Sequence, residues 1–184
     1  MKNKKIIIGL TGQIACGKGA ITKYLEKKYG ASSYRFSTML RDVLDRIYIE
    51  QSRANLSLIS KIIRKNFGED TMAKVMTSDV KNDKNKIIVV DGIRRLADIK
   101  YLKKIPGFKL VRVVVDSKIR YERLLSRNEN KGDNKKTYQD LLRDEKKEAD
   151  AQIPQVMKKA EIEINNEGNI KELYKQIENK ILLK

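Results

Sequence analysis

Short apolar runs alternating with helical segments along 184 residues predict an α/β fold, a parallel sheet with helices on both faces. Three observations carry that expectation. The runs at residues 5–10, 87–90 and 110–115 are apolar nearly throughout, as strands covered on both faces are. Shorter strand-like segments at 33–36 and 161–165 bring the sheet to five strands. The chain has no internal repeat and no domain-scale linker, so residues 1–184 are expected to form one domain.

The elements follow in order. Residues 17–29 keep helical spacing through Ile21, Tyr24 and Leu25. The strand at 33–36 leads to Ser37, the expected N-cap of a helix carrying Met39, Leu40, Val43, Leu44 and Ile47. Helical stretches at 56–67 and 71–80 come next, then a polar loop at 81–86. The strand at 87–90 ends in Asp91-Gly92, and a helix near 96–104 precedes Pro106-Gly107. After the strand at 110–115, Ser117 is expected to cap a helix reaching about Arg127. Residues 128–136 hold no apolar side chain and read as a mobile loop. Helical segments from 137 to 159, a strand at 161–165 and a helix at 169–182 complete the pattern.

Composition narrows the function. No apolar run approaches the ~20 residues that span a bilayer, and the one behind the basic residues 1–5 is too short for a signal peptide. With one cysteine no intramolecular disulfide forms, and a cytoplasmic location is expected. The absence of histidine excludes histidine acid–base chemistry and histidine metal ligation. The net charge of +17 suits phosphate-rich ligands. Many lysines stand beside acids, as in Arg143-Asp144-Glu145-Lys146-Lys147-Glu148, which reads as a solvated surface. Aromatics at 6%, without Trp, offer little for stacking bases. Nucleic acid is compatible with the charge but not favoured; small phosphorylated molecules are.

The strongest motif is Gly12-Gln13-Ile14-Ala15-Cys16-Gly17-Lys18, with G-x-x-x-x-G-K spacing between a strand and a helix. Glycines let the amides turn inward, the helix N-terminus adds partial positive charge, and Lys18 reaches the β- and γ-phosphates of a nucleotide. Residues Gly12, Gln13, Ile14, Ala15, Cys16, Gly17, Lys18, Gly19 and Ala20 are thus the expected ATP-binding set. Gly19 stands where Ser or Thr usually meets Mg²⁺, so the ion is expected mainly on waters and phosphates. Thr22 lies one turn too far along to substitute. Asp91, at a strand end, is the expected acid that orients the metal's water shell. Gly92 follows it instead of glutamate, which argues against a water-activating ATPase of the AAA type, and no Asn-Lys-x-Asp motif stands at the end of a later strand, where a GTPase reads guanine. Cys16 sits beside a helix N-terminus, where a thiol is either activated or a small buried filler.

The Gly-Lys-Gly loop, Ser37-Thr38-Met39-Leu40-Arg41 and Asp91-Gly92-Ile93-Arg94-Arg95 together resemble the P-loop nucleoside monophosphate kinases, adenylate-kinase-like. Within that group the chain looks most like uncharacterised archaeal-type nucleotide kinases, with a relation to dephospho-coenzyme A kinase. The resemblance implies a three-layer P-loop fold with an acceptor-binding helical region at about 37–80 and a lid at about 117–148. It implies Mg²⁺ and ATP as a substrate pair, and Ser37, Arg41, Arg94 and Arg95 as acceptor-binding residues. Arg123 and Arg127 would share a helix face and neutralise the phosphoryl group in flight, with Arg120 and Arg143 as further lid arginines. Lys18, Arg123, Arg127 and Asp91 would be the catalytic set. Asn165-Asn166-Glu167-Gly168 resembles a turn near the adenine in the same group. A phosphate acceptor is already largely ionised near neutral pH, so no general base is needed. Two other readings stay open: a ribose-hydroxyl acceptor, as in dephospho-coenzyme A kinase, and a nucleotide-binding RNA or ribosome-assembly factor.

Overall fold

The computed structural model describes residues 5–126, 133–147 and 150–183. Five strands form one parallel sheet: β1 (Ile6–Thr11), β2 (Ser32–Arg35), β3 (Ile87–Ile93), β4 (Phe108–Val114) and β5 (Ile162–Asn165), in the order β2-β3-β1-β4-β5. Parallel neighbours need crossovers, and helices supply them. α1 (Lys18–Tyr29) and α8 (Ile170–Ile177) pack on one face, where Ile8 and Leu10 meet Ile21, Leu25, Leu173 and Ile177. The other face carries α2 (Phe36–Arg46), α3 (Arg53–Phe67) and α4 (Thr71–Asn82), with Ile7, Ile88 and Val90 against Leu40, Met72, Met76 and Val80. Successive β1 side chains alternate between the faces, so an apolar run becomes two cores. α5 (Ser117–Ser126), α6 (Tyr138–Glu145) and α7 (Ile153–Met157) lie between β4 and β5 in the chain.

Several expected elements change. The segment near 96–104 forms two 3-10 turns, Leu96–Ile99 and Leu102–Lys104, because the Asp98 carboxylate accepts the amides of Arg94 and Arg95 at 3.0 Å each. Ser37 lies inside α2, one residue past its start, and is not its N-cap. Ser117 is the first residue of α5 with its hydroxyl 2.6 Å from that of Tyr138, while Asp116 accepts the Lys118 amide at 2.8 Å. β4 starts two residues earlier than expected, since Phe108 and Lys109 pair with Ile7 and Ile8. α8 ends in a π-helical turn, Glu178–Leu182, clasped to α1 where Tyr24 and Tyr174 stack at 3.7 Å. Residues 128–132 of the expected loop lie outside the described residues, and Asp133–Lys135 is a 3-10 turn.

Candidate active site

The loop after β1 folds as its glycines predict. Gly12 and Gly17 take φ of 149° and 97°, and Ala15 takes 59°, a conformation strained for a residue with a Cβ. A Cβ on Gly12 would come 2.6 Å from the Val113 carbonyl, and one on Gly17 would come 2.1 Å from Asn166 Nδ2. α1 opens at Lys18, whose ammonium donates to the carbonyls of Gly12 at 2.6 Å and Gln13 at 3.1 Å. The lysine thus arches over the cradle whose phosphate it is suited to bind.

Three contacts brace this loop from distant parts of the chain. Asn166 Nδ2 donates to the Cys16 carbonyl at 2.9 Å. Gln13 Nε2 donates to Glu145 Oε2 at 3.0 Å. Arg120, only 3% exposed, is ion-paired to the other Glu145 oxygen and donates to Val115 O at 3.2 Å and Ile14 O at 3.4 Å. Arg120 is therefore buried against the loop rather than held open. Of the run expected to be a solvated surface, Arg143, Lys146 and Lys147 are exposed, but Asp144 and Glu145 face inward. Cys16 is 1% exposed in the core, packed against Gly12 as a buried filler would be, with Lys18 Nζ 3.5 Å from its Sγ.

Asp91 lies near the loop because β3 runs beside β1, where the Thr11 hydroxyl donates to Ile93 O at 3.0 Å. One Asp91 oxygen accepts the Gly92 amide at 2.7 Å and the other pairs with Arg35 Nε at 3.2 Å. Thr22 is buried and donates to Lys18 O at 3.1 Å, and Gly19 has no donor to offer. Among the described residues no three metal-ligating side chains cluster. One carboxylate without a hydroxyl partner fits an Mg²⁺ ion that arrives on a triphosphate and keeps much of its water.

A second cationic centre joins α3, the end of β3 and α6. Arg94 Nη1 pairs with Asp150 at 2.9 Å, and Arg53 reaches Asp150 at 3.4 Å and Asp144 at 3.7 Å. Arg53 Nη1 is buried without a hydrogen-bond partner among the described residues. Lys136 and Lys147 also hold Asp144, at 2.8 and 2.5 Å. Burial pushes the Asp144 carboxyl up, but these ammonium groups and Arg53 outweigh it and bring it down to about 2.

The other expected arginines divide. Arg41 donates to Gln51 at 2.8 Å, and Gln51 in turn holds Asp45. Arg94 is half exposed, whereas Arg95 is buried beside Glu69 at 3.0 Å, in a cluster with Arg64 and Asp98. Ser37 is half-buried near the start of α2. Arg123 Nη1 is buried with no hydrogen-bond partner among the described residues. Arg143 is 75% exposed, paired with Asp140 on the outer side of α6 beside Tyr138, Gln139, Leu142 and Lys146. Arg127 lies outside the described residues. Sequence reasoning missed Arg35, Arg53, Glu145, Asp144 and Asp150 as site-forming groups. None stands in a local motif, and only proximity in the fold reveals them.

A parallel five-stranded sheet with a phosphate-binding loop after its central strand defines a P-loop protein of kinase architecture. The AAA domain family profile matches residues 8–154. The chain is 30% identical over 174 residues to a UPF0200 protein of Sulfurisphaera tokodaii, covering 94% of this chain and 93% of the relative. It is 28% identical over 172 residues to one of Staphylothermus marinus, covering 94% and 89%. The chain belongs to the AAA domain family and to the UPF0200 proteins. Among solved structures, a shikimate kinase from Bacteroides thetaiotaomicron superposes with a TM-score of 0.63 at 15% identity, covering 97% of this chain and 98% of that one. A gluconokinase from Sinorhizobium meliloti superposes with a TM-score of 0.56 at 11% identity, covering 96% and 90%. Identities this low carry the fold alone. No helix of the described residues is long and apolar enough to cross a membrane.

Proposed function

We propose that the chain is a phosphotransferase that moves the γ-phosphoryl of ATP, presented with Mg²⁺, to a small phosphorylated acceptor, a nucleoside or deoxynucleoside monophosphate. The observation that carries this reading is the pairing of two cationic centres: the Gly12-to-Lys18 cradle and the Arg53–Arg94 centre at the end of β3. Both arginines are held by carboxylates that an acceptor phosphate can displace or share. A planar guanidinium fork suits that phosphate.

In this account Lys18 leaves the loop carbonyls for the β- and γ-phosphates. Asp91 orients water on the ion that the triphosphate brings. Arg53, Arg94 and Arg41 hold the acceptor, with Arg94 taken over Arg95 because Arg95 is engaged in the core. Arg123, whose Nη1 is unsatisfied, and Arg127 neutralise the transferring group. The acceptor region, about 37–80, and the lid, about 117–148, meet at the Arg53–Asp144 pair. Catalysis is then positioning and charge neutralisation without a general base. A hydroxyl acceptor would call for a carboxylate base after β2. That strand ends instead in Arg35, which engages Asp91.

The test is a phosphate-transfer assay of purified protein with Mg·ATP and a panel of acceptors. Transfer to one or more nucleoside monophosphates supports the reading. Transfer only to dephospho-coenzyme A, or ATP hydrolysis indifferent to acceptors and stimulated by RNA, would replace it.

A further inference from the structure

We infer that the end of the sheet opposite the phosphate loop is a binding surface for the backbone of single-stranded RNA, an interaction separate from the proposed phosphoryl transfer. In a parallel sheet every strand enters from the same end. Here the entrances carry lysine pairs: Lys84 and Lys86 before β3, Lys103 and Lys104 before β4, and Lys158 and Lys159 before β5.

Backbone hydrogen bonds place these entrances side by side. The Ile6 amide donates to Lys86 O at 2.8 Å, the Ile7 amide to Gly107 O at 3.0 Å, and the Glu161 amide to Leu110 O at 3.1 Å. From β3 to β5 is three strand spacings, so the row is about 14 Å long. The Lys81 side chain, near the end of α4, adds to it.

What sets the row apart is that three lysine pairs without counter-charge stand side by side at one end of the sheet. Several other lysines find acids: Lys28 with Glu178, Lys74 and Lys100 with Asp70, Lys136 and Lys147 with Asp144. Others without an acid, such as Lys23, Lys61, Lys65, Lys171 and Lys175, are spread over α1, α3 and α8. The six lysines of the row are exposed and make no ion pair or side-chain hydrogen bond among the described residues; Lys104 alone touches a ring, that of Tyr101 at 6.0 Å. The nearby acids are few. Asp83 is occupied by Tyr34 at 2.9 Å and by the Asn85 amide at 2.7 Å, Asp79 lies exposed one turn earlier on α4, and Glu161 stands just before β5.

Lysines without arginines or an exposed aromatic platform favour point-charge contacts to successive phosphates over base reading, so binding should not depend on sequence. A chain with a net charge of +17 and uncompensated lysines in a row matches a polyanion better than it matches an acidic protein, for which the row offers no apolar anchor. β1 spans about 20 Å, so RNA here would leave the phosphate loop open.

The experiment measures binding of a labelled 20-nucleotide single-stranded RNA of mixed sequence by fluorescence anisotropy across a salt series. The comparison is the full chain, a face variant with Lys84, Lys86, Lys103, Lys104, Lys158 and Lys159 each →Gln, and a scattered variant with Lys23, Lys61, Lys65, Lys171 and Lys175 each →Gln. With about four phosphates contacted, the full chain should show a log–log salt slope of about −3, and the face variant a slope nearer zero with at least a tenfold loss of affinity. The scattered variant should bind nearly as the full chain does. Circular dichroism checks folding, and the three lysine pairs changed separately replace the face variant if it fails. Equal weakening of both variants would overturn the site. Polyglutamate binding as tight as RNA would reassign the face to an acidic protein, and preference for phosphatidylserine vesicles would reassign it to a membrane.

Discussion

Glu145 Oε2 in α6 lies 3.0 Å from Gln13 Nε2 in the phosphate loop, while its other oxygen holds the buried Arg120. One carboxylate thus fixes the proposed lid region to the loop. Removing it leaves the Arg120 charge buried without its carboxylate. Glu145→Ala should therefore cost about 3–5 kcal/mol in denaturant unfolding, and Glu145→Gln, which keeps a group for Gln13 and Arg120 to bond, should cost less. Equal losses from the two variants would show that charge compensation is not what Glu145 supplies.

Gly17 has φ of 97°, and a Cβ there would collide with Asn166 Nδ2 at 2.1 Å. Gly17→Ala is expected to lose ATP binding in calorimetry and to destabilise the fold by about 1–3 kcal/mol. Asn166→Ala should relieve the collision in the double variant and recover part of the stability. No recovery would mean that backbone strain alone is responsible.

Acceptor and transfer roles separate kinetically. Arg53→Ala, Arg94→Ala and Arg41→Ala should each raise the acceptor KM roughly ten- to a hundred-fold, as loss of a charge-assisted contact of ~1.5–3 kcal/mol implies. Arg123→Ala and Arg127→Ala should lower kcat instead. Unchanged KM in the first group together with unchanged kcat in the second would remove the arginine map and leave the loop alone.

Acid stability has a defined window. The Asp144 carboxyl titrates at about 2 in the fold instead of the ordinary 3.8, so it binds fewer protons folded than unfolded. Its contribution is present above pH 4 and is lost as pH falls toward 2. Asp144→Asn should flatten the stability profile across that range in urea titrations, and an unchanged profile would reassign the acid sensitivity to other carboxylates such as Glu178, which Lys28, Tyr24 and Tyr29 also hold low.

The sheet was legible because a strand buried on both faces must be apolar nearly throughout, as Ile87–Ile93 shows. Its ends were less so: Asp91, Gly92 and Ile93 extend β3 only because β1 and β2 offer them partners. The helix expected near 96–104 failed on one side chain, Asp98, which takes the amides that open the turn. The phosphate loop was legible because contiguous residues build it. Glu145 and Gln13 are 132 positions apart, and Arg53 meets Asp150 across 97, distances at which no local pattern exists. Spacing alone likewise could not rank Arg94 and Arg95: adjacent in sequence, one faces Asp150 and the other the core.

Lys18 is the loop's own cation, and Lys18→Ala should reduce transfer to background while the thermal melt stays cooperative. Near-normal turnover at saturating ATP would remove the loop from catalysis.

The central claim is that the accepting atom is a phosphate oxygen. Phosphorus NMR of the product formed from Mg·ATP and the best acceptor tests it most directly. The account predicts, beside the ADP left by the donor, a second diphosphate whose coupled pair of resonances grows as the acceptor's own monoester resonance disappears. An uncoupled phosphate monoester on a ribose hydroxyl, or free phosphate released at a rate that no acceptor changes, would contradict it.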